Sequence, residues 1–299
     1  MQPFQFEHLA TFAVVVQEGS FDAASRALHV TPSAVSQRIK AMEQAAGQVL
    51  LQRTTPVQPT AAGDVVLRLA RQVRVLQADA QHELGGNVAG LSLPLVVNAD
   101  SLATWFLGAL ARMPRERGAF FEVHREDEQH STSLLRSGRV NAAVTATPEP
   151  VQGCTVEALG SLRYRAVASS DFLDHWRPGG TRPGDVAWLG AAPVLDFDRK
   201  DDLQERFYRT LTGTDLAGPR HYMPASGEFA AAVRLGIGWA LLPEQQCLAD
   251  IRSGLLQELA PDLPMDVPLY WQRWKISSPI LDELSACVRQ TAAEQLLQP

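Results

Sequence analysis

Two short helical segments, a turn and a third helix opened by Thr31-Pro32 fill most of the first fifty residues and constrain this chain more than any other feature. Leu9, Phe12, Ala13 and Val16 recur at helical spacing, and Gly19-Ser20 ends that helix and caps the next. The second helix, Phe21 to Leu28, gathers Phe21, Ala24 and Leu28 on one face and stops at His29-Val30. Thr31 then serves as N-cap, with Pro32 at the first helical position, where a missing amide proton costs nothing. The helix that follows, Ser33 to Glu43, buries Val35, Ile39 and Met42 and leaves Ser33, Ser36, Gln37, Arg38 and Lys40 outside. Any solvated helix shows a polar face. In this tight succession it is the outer face of a helix-turn-helix, where Gln and Ser read base edges and Arg and Lys reach guanine or phosphate.

After Gly47, the run Val49 to Arg53, then Thr54-Thr55-Pro56 and Val57 to Thr60, predicts a two-stranded wing with Arg53 near its tip, placed for a backbone or minor groove. Thr60 caps a long helix from Ala61 to about Leu84, along which Val65, Leu69, Val73, Leu76, Ala80 and Leu84 form a continuous apolar stripe. Such a stripe packs either into the chain's own core or against a second copy. A reader of two half-sites needs a two-fold spacer, which favours the dimer. Gly85-Gly86 ends the helix.

A net charge of −6 at first argues against a nucleic-acid partner. Its distribution removes the objection. Residues 1–60 balance four basic groups (Arg26, Arg38, Lys40, Arg53) against four acidic ones (Glu7, Glu18, Asp22, Glu43), and Leu28 to Met42 carries Arg38 and Lys40 with no acid. The whole negative excess lies beyond residue 60. The length of 299 residues predicts two or three domains. Cys154, Cys247 and Cys287 are far apart and form no CxxC, which argues against a disulfide framework or structural zinc, and no metal or cofactor is expected. No apolar run approaches the roughly 18 residues of a membrane span, and Met1 to Ser25 lacks the basic start of a signal peptide, so the expected location is the cytoplasm, without a membrane partner.

From Leu93 onward, apolar runs alternate with helical stretches. Strands are expected at Leu95–Val97, Phe120–Val123, Ala142–Thr145, Arg165–Ala168, Pro193–Leu195, Trp239–Leu242 and Val267–Trp271. Helices fit Leu102–Met113, Leu203–Leu211, Phe229–Leu235 and Ile280–Leu297, and the alternation predicts α/β architecture. Ligands of such sheets bind beyond the carboxyl ends of strands. Those ends carry Asn98-Ala99-Asp100-Ser101, Glu126-Asp127-Glu128, Thr145 with Thr147, Asp196 with Asp198, and Ser226-Gly227-Glu228. Carboxylates at several strand ends, with one helix start able to hold an anion, suit a basic amino acid. Asp201, Asp202 and Glu205 are expected on solvated surface.

The segment Phe21 to Leu28, the run from Thr31 to Lys40, Leu51, Arg53 and Pro59-Thr60-Ala61-Ala62-Gly63 together resemble the LysR-type transcriptional regulators, with Met42 where that family more often has leucine. Val97 to Trp105 resembles the arginine- and lysine-responsive branch, the ArgP/LysG-like proteins. Asp196-Phe197-Asp198 with Asp201-Asp202, Leu235 to Trp239 running to Leu242-Pro243, and Leu269-Tyr270-Trp271 fit the same branch. The resemblance implies a winged helix-turn-helix over residues 1–60 and a linker helix over 61–90. It also implies a periplasmic-binding-protein-like α/β effector domain of two lobes, residues 91–165 with 266–299 and residues 166–265. DNA contacts are then expected from Thr31, Pro32, Ser33, Ser36, Gln37, Arg38, Lys40 and Arg53. Effector contacts are expected from Asn98, Asp100, Ser101, Thr104, Glu126, Thr145, Asp196, Asp198 and Glu228.

The implied partners are double-stranded promoter or operator DNA, a second copy in a homodimer or homotetramer, RNA polymerase, and lysine or arginine as small-molecule effector. The implied role is control of amino-acid export or metabolism genes. Three alternatives stand beside it: a regulator of the same type with another effector, an α/β enzyme, and a solute-binding protein. An enzyme would want a signature that is missing, since there is no GxSxG, Walker loop or HExxH, and Gly236-Ile237-Gly238 lacks a third dinucleotide-binding glycine. A solute-binding protein leaves the first ninety residues unexplained.

Overall fold

A computed structural model describes residues 4–86, 90–125, 128–179 and 185–298. The first three helices are α1 (Phe6–Glu18), α2 (Phe21–Ala27) and α3 (Pro32–Ala46). Ser20 caps α2 by accepting the Ala23 amide at 3.1 Å, and Thr31 caps α3 by accepting that of Ala34 at 3.2 Å. Between them His29 takes the left-handed conformation (φ 54°), while the Val30 amide reaches back to the Ser25 carbonyl. That is how a helix stops in one turn without glycine. The wing is shorter than its apolar run suggests: β1 (Leu51–Gln52) and β2 (Gln58–Pro59) pair antiparallel, Leu51 opposite Pro59.

The long helix α4 (Ala61–Glu83) starts at Thr60, whose hydroxyl accepts the Gly63 amide at 3.0 Å. It has two apolar faces. Val66, Leu67 and Ala70 join Leu9, Phe12, Val15, Val35, Ile39 and Met42 in the core of the winged helix. Val65, Leu69, Leu76 and Leu84, most of the stripe read from the sequence, remain exposed.

Beyond α4 the chain continues through β3 (Leu91–Val97), a short α5 (Ala99–Ser101), a π-helical turn over Leu102–Phe106, α6 (Leu107–Ala111), β4 (Ala119–Arg125), α7 (Glu128–Arg136), β5 (Ala142–Thr145) and the sixteen-residue β6 (Cys154–Ser169). Then come α8 (Ser170–Trp176), β7 (Val194–Asp196), α9 (Leu203–Thr212), β8 (Arg220–Tyr222), α10 (Ser226–Arg234), β9 (Ala240–Pro243), α11 (Glu244–Ser253), β10 (Leu256–Glu258), β11 (Met265–Trp274) and α12 (Pro279–Gln295). This is a winged helix-turn-helix, a long helix and an α/β region. The helix expected over Leu102–Met113 begins three residues early, at Ala99, because Asn98 is a good cap, and the π turn then interrupts it. No described helix is long and apolar enough to cross a membrane.

Two compact units emerge from the contacts. The first comprises Met1–Val97, Arg112–Glu157 and Trp271–Cys287. In it β3 lies parallel to β4, Leu95 opposite Val123, and parallel to β5, Leu95 opposite Ala142. Val96, Leu135, Val140, Ala143 and Val151 form the core against α7. Helix α4 is tied to this unit at two helix ends of opposite polarity. Arg68 and Arg71 donate to the carbonyls of Arg136, Gly138 and Arg139 just past α7. Asp79 accepts the Ser278 hydroxyl at 2.6 Å and the Ile280 amide at 3.1 Å where α12 starts. Cations at a helix C-terminus and a carboxylate at an N-terminus both complement the helix dipole.

The second unit comprises Asn98–Ala111, Ala158–Tyr270 and Val288–Pro299. Here β6 pairs antiparallel with β9, Arg165 opposite Leu242, and with β10, Gln257 opposite Ala168. Strands β7 and β8 pair in parallel, Leu195 opposite His221. Val167, Leu195, Phe229, Val233, Ala240, Leu242 and Leu256 form its core.

Candidate functional site

Helix α3 presents the surface its sequence promises. Val35, Ile39 and Met42 are buried against α1 and α2, so Ser33, Ser36, Gln37 and Lys40 are exposed on the other side, with Thr31 and Pro32 exposed at its start. Arg53 is exposed just past β1. Arg38 sits differently. It is half-buried, donates to Thr11 Oγ1 at 3.1 Å and pairs with Glu7, so its charge ties α3 to α1.

In the second unit, the helix start after β3 is built around Asp100. Asn98 Oδ1 accepts the Ser101 amide at 2.7 Å and fixes the first turn. Asp100 then takes two hydroxyl donors, Tyr164 Oη at 2.8 Å and Ser226 Oγ at 2.7 Å, and Gln246 Nε2 donates to Ser226 Oγ at 2.9 Å. Thr104 turns its hydroxyl back onto the Asp100 carbonyl at 2.6 Å inside the π turn. Such turns within helices recur at functional sites. Burial pushes the Asp100 carboxyl above the usual aspartate range; the Ser226 and Tyr164 donors oppose that shift and the charge of Asp201 adds to it. Burial also drives the Tyr164 phenol well up, with Asp100 beside it reinforcing the shift. Ser101 Oγ and Trp105 Nε1 are buried and make no hydrogen bond to any described residue.

Around the end of β7 the acids divide by partner. Asp196 is 2% exposed and neutralised by Arg220 at 2.7 Å, which also meets Glu205 at 2.5 Å. Asp198 Oδ1 accepts the amides of Lys200 at 2.7 Å and Asp201 at 3.2 Å, holding the loop. Asp201, expected on solvated surface, instead accepts the Phe197 amide at 2.8 Å, the Leu203 amide at 3.0 Å and Gln204 Nε2 at 2.9 Å. Glu205, also expected there, is held by Arg220 and the Leu216 amide. Both corrections have one cause: β8 brings Arg220 and α9 brings Gln204 to a loop whose sequence shows only its acids. No described cationic side chain pairs with Asp100 or Asp201.

Three more residues were expected at the effector site. Thr145, in the first unit, donates to the Thr147 carbonyl at 3.2 Å and accepts Gln272 Nε2 at 3.3 Å. Glu228 is exposed in the first turn of α10, two residues past the Ser226 that reaches Asp100. Glu126 lies outside the described residues. Sequence reading missed Tyr164, Gln204, Arg220 and Gln246. Tyr164 carried a signal: Leu162, Tyr164 and Ala166 alternate inward along β6 between Arg163 and Arg165.

Residues 6–64 match the model of bacterial regulatory helix-turn-helix proteins of the lysR family, and residues 92–293 match the LysR substrate binding domain. The HTH-type transcriptional regulator LysG of Mycobacterium tuberculosis is 42% identical over 288 residues, 95% of this chain and 92% of its own length. The lysine export transcriptional regulatory protein LysG of Corynebacterium glutamicum is 39% identical over 297 residues, 99% of each chain. Among solved structures, ArgP from Mycobacterium tuberculosis superposes with TM-score 0.87 at 40% identity over 100% of both chains. Full-length LysG from Corynebacterium glutamicum with bound effector Arg superposes with TM-score 0.78 at 39% identity, covering 99% of this chain and 100% of that one.

Because the native state favours protonated Asp100, that residue's contribution to stability is present below the unfolded-state aspartate value of 3.8 and is lost as pH rises through the higher folded-state value. Asp100→Asn removes that loss. Thermal unfolding of the effector-free protein from about pH 4 to about pH 8 should show the variant gaining on the wild type as pH rises. A constant difference across the range would contradict the burial of charge at Asp100.

Proposed function

The chain belongs to the LysR family of bacterial transcriptional regulators, and from that premise we propose that it senses a basic amino acid, lysine or arginine, and controls transcription of amino-acid export or metabolism genes. The observation that carries the effector is Asp100: a carboxylate at a helix start, held by neutral hydroxyls, with Asp201 near enough to raise its pKa and no described cation against either. An ammonium or guanidinium placed there gains two attractions at once. Ser101 Oγ and the remaining amides of the same helix start offer donors for the amino acid's carboxylate. Asn98 and Thr104 shape that start. Asp198 holds the loop that carries Asp201, and Asp196 holds Arg220 beside it. The LysG structure with bound Arg supports this reading of the effector.

On the DNA side, α3 enters the major groove, with Ser33, Ser36, Gln37 and Lys40 toward bases or phosphates, Thr31 and Pro32 at the entering end, and Arg53 on the wing meeting the backbone. Arg38 serves by fixing α3 on α1. The exposed stripe of α4 pairs with that of a second copy, which makes a two-fold dimer reading two half-sites and a tetramer by further association. Residues 1–60 are the reader, 61–90 the linker, and 91–165 with 266–299 and 166–265 the two effector lobes. Effector binding acts by population shift, favouring the conformation that binds it better, and RNA polymerase at the promoter is the downstream partner. The setting for such a regulator is the cytoplasm.

Calorimetric titration with lysine and arginine, with norleucine as the chain lacking a side-chain charge, tests the effector. Heat is expected with one or both basic amino acids and none with norleucine. Silence with both, or equal binding of norleucine, would count against it. For DNA, Gln37→Ala should weaken operator binding by roughly tenfold or more and relax base preference, and Arg53→Ala should lower the salt slope by about 1. Unchanged binding and salt dependence in both variants would remove these residues from the interface.

A further inference from the structure

Where α4 meets β3 and β4 in the first unit, Gln17, Arg71, Arg74, Ser92, Glu122 and Asn141 line a crevice with room for about one water-sized group. Its charge balance is uneven. Arg71 donates to the Gly138 carbonyl at 3.1 Å and to that of Arg139, which satisfies hydrogens without supplying an anion. Arg74 also meets only a carbonyl, that of Gly90, at 3.4 Å. Glu122 is the carboxylate in the lining, and it lies 3.2 Å from His124 Nε2. Burial lowers the Arg71 guanidinium to about 10; Glu122 opposes that fall, while Arg139 and Arg74 add to it.

Asn141 gives the independent observation. The residue is 1% exposed, and its backbone is engaged, donating to the Pro94 carbonyl at 2.7 Å and accepting the Trp274 amide at 3.2 Å. Neither polar atom of its side chain makes a hydrogen bond to any described residue. A buried amide of this kind costs stability unless a partner meets it. A small anion in the crevice would lie among residues that include this amide and two arginines. The space is small, which favours a monatomic ion or a water over a larger anion.

We infer that the crevice between α4 and the β3–β4 edge is a halide site, in which chloride accepts from Asn141 Nδ2 and offsets the charge of Arg71 and Arg74. A water in the same place would satisfy Asn141 and leave the positive excess standing. The halide would add an electrostatic tie between the linker helix and the sheet that carries the effector domain's first strand. It needs neither the amino-acid effector nor DNA.

Thermal unfolding of the full chain in sodium chloride and in sodium gluconate at equal ionic strength tests the site. Chloride should raise the midpoint by roughly 3 °C, since a ligand bound only by the native state stabilises it. Arg74→Gln, at an exposed position, should lose most of that gain while unfolding like the wild type in gluconate. Asn141→Asp, which supplies the negative charge itself, should lose the gain altogether. Crystals grown in bromide should carry an anomalous peak within hydrogen-bonding distance of Asn141 Nδ2. Equal midpoints of the wild type in the two salts, a gain undiminished in Arg74→Gln, or no anomalous peak in the crevice would each overturn the proposal and leave a water there.

Discussion

A carboxylate drawn away from bulk water must find donors or a cation, and among the described residues Asp100, partly buried, is given donors only. Tyr164 and Ser226 hold it with neutral hydroxyls, and the nearby charge of Asp201 makes its ionised form still harder to keep. Much of the second unit serves this arrangement. Strand β6 carries Tyr164 inward, α10 opens at Ser226, α11 supplies Gln246 behind Ser226, and Asn98 fixes the turn on which Asp100 stands. Neutralising Asp100 in place would relieve that electrostatic cost, which is what the proposed cationic effector would do.

Helix α4 bears the corresponding demand in the first unit. One face completes the core of the winged helix, and Arg68, Arg71 and Asp79 tie the helix to the ends of α7 and α12. The remaining apolar face stays in water in the single chain. A helix that is apolar on opposite sides cannot be satisfied by one core. That is why dimerisation through α4 and reading of paired half-sites by α3 belong to one proposal.

Local chemistry made the N-terminal part legible. Ser20, Thr31 and Thr60 each cap the helix they precede, as their positions suggest, and Val35, Ile39 and Met42 settle which face of α3 is free. Asp100 and Ser101 were visible for a similar reason, as polar residues at a strand-to-helix junction. The ion pair of Arg38 was not legible, because it joins residues 31 positions apart and nothing near α3 in sequence reveals Glu7 as the partner. Asp201 was expected on solvated surface, but its donors include Gln204 on α9 and its neighbour Asp196 is neutralised by Arg220 from β8. A run of acids looks alike whether solvated or locked, and only tertiary partners separate the two.

The central claim is that Asp100 recognises the cationic end of the effector, and titration of Asp100→Asn with arginine and lysine tests it most directly. Removing one member of a desolvated, hydrogen-bonded charge pair should weaken binding by about 100-fold, while operator binding without effector is retained. Wild-type affinity in that variant would contradict the account, because the carboxylate would then have no part in holding the ligand.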